Sequence, residues 1–226
     1  MASPRWRDLG YLTPDAPECQ QDVWALVARL QGHLAALLDE LVLRTAEPSW
    51  AAVLRDAAGS ARELRAALLE AAGEGAVERL AHDDALRELE ASLEEVLQSG
   101  HAPALVVTGY VVLGELSVLP CRLLQETAGP YARALAARVA ASEAHRPLGR
   151  LFAATDPAPV DLENLRRMLR HLNGLLHAVY ATWRQTFHVL GLDGELLDEA
   201  ARDTARAAAA TLGITLGRAD LAVFRG

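Results

Sequence analysis

Any chemistry in this chain has to be argued first from Glu115, the single formal charge within the apolar run ALVVTGYVVLGELSVL of residues 104–119. A carboxylate carried into a helix that is apolar on every side must be paired, protonated or bound to a cation. The segment Ser142-Glu143-Ala144-His145-Arg146 returns on the next helix to roughly the same depth. Three readings of these groups stay open. In the first, Glu115 and Glu143 hold a metal ion with His145 as an auxiliary ligand, helped by His33 or a histidine nearer the C-terminus. The second makes Glu115 a buried acid paired with Arg146, whose forked guanidinium suits a carboxylate. In the third, Glu143 and His145 face solvent near a helix end.

A second set of polar residues lies further on. His177, Arg184 and His188 recur at i, i+7 and i+11 with Tyr180 beside them, which puts them on one helical stripe. With His33 and Tyr110, that stripe is the candidate lining of a pocket for a small ligand, an anionic one by its charge. The same stripe also reads as a polar seam against another helix or a dimer partner. His177 and His188 stand three turns apart, too far to share one ion. The sequence contains no G-x-S-x-G, phosphate-binding loop, dinucleotide fingerprint, H-E-x-x-H or EF-hand. Cys121, inside the apolar run's helix, reads as a small core residue rather than a nucleophile. Whether the protein is an enzyme stays open.

The elements that must position these groups are helices. Half of the 226 residues are apolar, and the excess is Ala and Leu, which lose little freedom in a helix, rather than β-branched or aromatic residues. The formal charge of −8 comes from 30 acidic and 22 basic side chains, and the basic ones are scattered. A duplex-binding surface needs a positive stripe, so nucleic acid is not an expected partner. Two cysteines, Cys19 and Cys121, form neither a metal-ligand spacing nor a disulfide framework, which fits a reducing cytoplasm. No apolar run follows Arg5 and Arg7, so a secretory signal is not expected. Pro103 and Pro120 hold the central apolar run to about the minimum length of a membrane span, with Glu115 inside it. Enclosure in a folded core is therefore expected rather than a membrane.

Taken in order, the chain reads as one all-α domain over 1–226. After an irregular N-terminal arm, residues 18–72 form a first helical hairpin broken at Glu47-Pro48-Ser49, with Val23, Leu26, Leu30, Leu34, Leu37 and Leu41 at helical spacing. An acidic surface helix crosses over at 76–100, with Asp83 or Asp84 as its N-cap. Residues 103–153 form a second hairpin turned by Gly129-Pro130. Pro120 and Pro147 lie shortly after Glu115 and Glu143, where they kink or end their helices. The connector 155–159 leads to two C-terminal helices over 161–212, and an apolar tail with Leu221, Val223 and Phe224 packs back on the body.

The order hairpin, crossover, hairpin resembles the ferritin-like superfamily over roughly residues 20–152. The run LGELSVLPCRLLQETAGPYARALAARVAASEAHRPLGRLF is similar to that superfamily's second hairpin, in which the third helix offers a Glu and the fourth an E-x-x-H. The resemblance implies a ferritin-like four-helix bundle with a crossover helix and two extra C-terminal helices, and an iron or manganese site with oxygen-dependent or redox chemistry. Glu115 and Glu143 match the two carboxylates. Arg146 stands where the superfamily has its His, and His145 falls one residue early. Helix two offers no E-x-x-H, so the implied di-metal site is altered or lost. The competing expectation is a non-catalytic helical module that dimerises or binds a small ligand.

Overall fold

The computed structural model describes residues 17–127, 130–155, 159–192, 194–217 and 220–221. The expected N-terminal arm, the Gly129 turn and the tail residues Val223 and Phe224 lie outside the described residues. Every regular element within them is helical. The all-α expectation therefore holds.

Helix α1 (Pro17–Arg44) and α2 (Pro48–Ala72) form the first hairpin, closed by a three-residue link. The α1 face spaced at three and four residues, Val23 to Leu41, is buried, as the pattern requires. Pro48 opens α2 where a missing N–H is harmless, and Gly73, at a φ of 74°, ends it with its N–H on the Leu69 carbonyl at 3.1 Å.

The crossover is two helices rather than one, α3 (Glu74–Ala81) and α4 (Asp84–Ser99). Asp83 makes the break: its Oδ1 accepts the Leu86 N–H at 2.7 Å and starts a new helix. Its Oδ2 accepts the Trp183 indole N–H at 2.6 Å, which ties α4 to the C-terminal helices.

The apolar centre begins as α5 (Ala102–Val107), widens into a nine-residue π-helical segment (Thr108–Leu116) and resumes as α6 (Leu119–Thr127). Its stretch Ala102–Leu124 is long and apolar enough to cross a membrane, yet 89% of its most apolar window is buried inside the protein. The expected continuous fourth helix of the second hairpin is divided. Helix α7 (Pro130–Ala140) stops, residues 141–145 turn, and α8 (Arg146–Thr155) starts afresh. Pro147 occupies the first turn of α8, so it begins a helix instead of kinking or ending one.

The C-terminal helices are α9 (Pro159–Thr182), α10 (Arg184–Val189) and α11 (Gly194–Thr211). Helix α9 packs on α4, α11 on the π segment, α8 on α5 and α7 on α6. The small side chains Ala201, Ala205, Ala208 and Ala209 are all buried on α11, which allows it close approach to the centre. Beyond α11, Asp220 accepts Arg166 Nε at 2.9 Å and the Gly217 N–H at 2.8 Å, and Leu221 is buried.

Candidate functional site

The π segment explains how the centre is built. In an α-helix the Ser117 N–H would bond the Leu113 carbonyl; here it reaches Val112 O, five residues back, at 3.0 Å. The Leu113 carbonyl is left to side chains, and accepts the Ser117 hydroxyl and Gln31 Nε2, the latter at 3.2 Å. The Leu116 carbonyl faces Pro120, which has no N–H to give. Tyr180 OH on α9 donates to it at 2.7 Å. Two released backbone acceptors are thus satisfied from α1 and α9. An unpaired acceptor at this depth costs about 1–3 kcal/mol.

Glu115 sits on this segment with its side chain about one-fifth exposed. Its Oε1 accepts His145 Nε2 at 2.7 Å, and its Oε2 accepts Arg122 Nη1 at 2.7 Å. The His145 hydrogen bond, opposed by partial burial and reinforced by Arg122, holds the carboxyl down at about 2, well below its ordinary 4.5. His145 reaches this position because residue 114 is glycine. A Cβ there would lie 2.4 Å from the His145 Cβ and Cγ. Tyr110 meets the imidazole edge-on, with ring centroids 5.4 Å apart.

The expected Glu115–Arg146 pair is not made. The turn at 141–145 points Glu143 and Arg146 outward, where they bond each other at 2.6 Å with both side chains about 60% exposed. Arg122 takes the place given to Arg146. The sequence carries a signal for it: Arg122 is the first cation after Glu115, seven residues on, near the same side of the helix.

The other expected residues fall into two groups of the same composition. His33 lies 3.5 Å from Glu90 of α4, which also takes a two-pronged bond from Arg29, both contacts at 2.7 Å. Burial pushes the Glu90 carboxyl up, but the His33 and Arg29 hydrogen bonds outweigh it and the net displacement is downward. On α9, His177 Nδ1 lies 3.2 Å from Asp198 of α11, and Arg184 lies 3.9 Å from the same carboxylate. Burial, with Arg184 and Arg202, pushes the His177 imidazole below its ordinary value against the pull of Asp198. Tyr180 serves the Leu116 carbonyl, and His188 is half-buried on α10. His177 and Arg184 thus lie beside Asp198 and Tyr180 bonds the Leu116 carbonyl, and Tyr180 and Arg184 also line a small pocket with Asp198. Buried Asn173 lies on the same stripe, and neither of its amide atoms has a hydrogen-bond partner among the described residues.

At three junctions a carboxylate lies beside a histidine and an arginine: Glu90 between α1 and α4, Glu115 between the π segment and the turn before α8, and, more loosely at 3.2 and 3.9 Å, Asp198 of α11 beside α9 and α10. As a metal centre the middle junction fits poorly. Its donors are Glu115 and His145, Arg122 supplies a positive charge where a cation would sit, and Glu143 is turned away. Among the described residues no group of three or more His, Cys, Asp or Glu side chains is placed to hold a metal ion. Cys121 is fully buried and burial pushes its thiol far up, so it offers no thiolate. Compared with known proteins, the chain matches no family model and no curated sequence.

Proposed function

We propose that the chain is a helical scaffold of the ferritin-like kind whose di-metal site is lost, with a His–carboxylate–Arg triad at the depth where that superfamily holds iron or manganese. One observation carries this reading: both oxygens of Glu115 are already engaged, one by His145 and one by a permanently charged guanidinium. A metal would have to displace Arg122 and leave its charge half-buried, which is costly. The unpaired cysteines Cys19 and Cys121 support a reducing compartment such as the cytoplasm. Anaerobic incubation with iron(II) or manganese(II), followed by desalting and metal analysis, tests the reading. The expected result is metal far below one equivalent and no difference between wild type and Glu115→Ala. Near-stoichiometric metal that Glu115→Ala abolishes would overturn it and restore a metal-dependent oxidoreductase built on Glu115 and His145.

A second reading, a binder of small anions, is favoured by an open groove of about 500 Å³ between α4 and α9, where Arg170, His171 and Arg167, the last itself paired with Glu163, gather over Gly174 and Leu175 opposite a single acid, Glu88. Titration calorimetry with phosphate and with citrate tests it. Binding that Arg170→Ala removes supports this reading, and heats equal to dilution sink it.

A further inference from the structure

A groove of about 330 Å³ runs between the first turns of α2 and α8, with Trp50, Val53 and Pro147 forming its apolar part and Glu47 and Arg150 its charged lining. Val53 is 43% exposed there, one of only three large apolar side chains this open among the described residues. Glu47 accepts the Ser49 hydroxyl and has no cationic partner, and Arg150 has no carboxylate partner, among the described residues. The groove therefore presents an apolar strip carrying one unmatched negative and one unmatched positive charge.

We propose that this groove is the interface through which two copies of the chain pair about a two-fold axis. A two-fold contact joins the same patch to itself, so each charge needs its complement within that patch. Here the patch supplies both: Glu47 of one copy meets Arg150 of the other, and the pairing occurs twice. Trp50 is the anchor, a large side chain of the type that dominates protein interfaces, and Arg is the other enriched type. A stable pair needs about 800 Å² from each partner, so the exposed surface flanking this groove on both helices must join the contact.

Sedimentation equilibrium of the full chain over a range of concentrations tests the pairing. Wild type is expected to be a dimer, Trp50→Ala a monomer, and Glu47→Arg or Arg150→Glu alone weaker by about tenfold or more in dissociation constant. Glu47→Arg combined with Arg150→Glu restores the dimer, because the reversed charges again complement each other across the axis. Far-UV circular dichroism and melting establish that each variant is folded, and none of these positions touches the Glu115 triad, so the result is independent of the metal test. A monomeric wild type overturns the inference. So does a dimer indifferent to both single reversals, which places the interface elsewhere, or a folded double reversal that stays as weak as the singles.

Discussion

Replacing Glu115 by Gln tests the central junction most directly, because it keeps the shape and removes the charge. The folded carboxyl lies at about 2 against an ordinary 4.5, with the His145 hydrogen bond as the largest cause and Arg122 adding to it. At about 1.4 kcal/mol per unit, that displacement caps the contribution near 3 kcal/mol, and partial solvent access reduces it to about 2 kcal/mol. For a chain of this size the loss lowers the melting temperature by roughly 4–8 °C. The sign follows from proton counting. Between about pH 4.5 and pH 2 the unfolded chain binds more protons at this site than the folded one, so the stabilisation is complete above about 4.5 and declines as pH falls toward 2. Urea unfolding of wild type and Glu115→Gln at about pH 7, 5 and 3 should therefore show a gap of about 2 kcal/mol that is equal at the two higher values and clearly smaller at the lowest. A gap that is the same at all three, or below about 0.5 kcal/mol at neutral pH, would refute the view that a charged Glu115 holds the turn before α8 to the centre.

Other perturbations follow from the same geometry. Tyr180→Phe should cost about 1–2 kcal/mol, and much less in a Pro120→Ala background, because residue 120 then has its own N–H for the Leu116 carbonyl; a double-mutant cycle in urea measures the coupling. Gly114→Ala, which in an open helix would stabilise by up to about 1 kcal/mol, should instead destabilise by about 1–3 kcal/mol by pushing His145 off Glu115. Thermal melts give the sign, and a stabilised variant counts against the contact. Asp83→Ala should lose about 1–2 kcal/mol and change the fluorescence of Trp183, since one carboxylate both caps α4 and accepts the indole N–H. Unchanged emission together with unchanged stability would place Asp83 outside both roles.

Much of the fold is written locally. The Leu and Val spacing of α1, the stop at Glu47-Pro48, the cap at Asp83 and the Ala stripe of α11 each follow from propensity and period within a few residues. The stripe of His177, Tyr180 and Arg184 was likewise visible as a face, and its contacts run to Asp198 and Leu116. The division of the crossover was less legible: the capping strength of Asp83 was evident, but the bond from its second oxygen to Trp183, a hundred residues away, belongs to the tertiary structure.

The sequence by itself determined that Glu115 would be the one charge in an apolar helix, that it would need a partner, and that residues 142–146 would return to its depth, where Arg146 was the expected pair. Only the tertiary structure decided the rest. In the π segment the Leu113 carbonyl, freed by the change of register, is taken by Gln31 from α1, and the Leu116 carbonyl, orphaned by Pro120, is taken by Tyr180 from α9. That change of register, together with the turn at 141–145 and the missing side chain at Gly114, presents Arg122 and His145 to Glu115 and sends Arg146 and Glu143 to the surface. Spacing along a helix predicts neighbours only while the ladder keeps its period; where the backbone's hydrogen bonds are handed to other elements, the choice of partner passes to the packing.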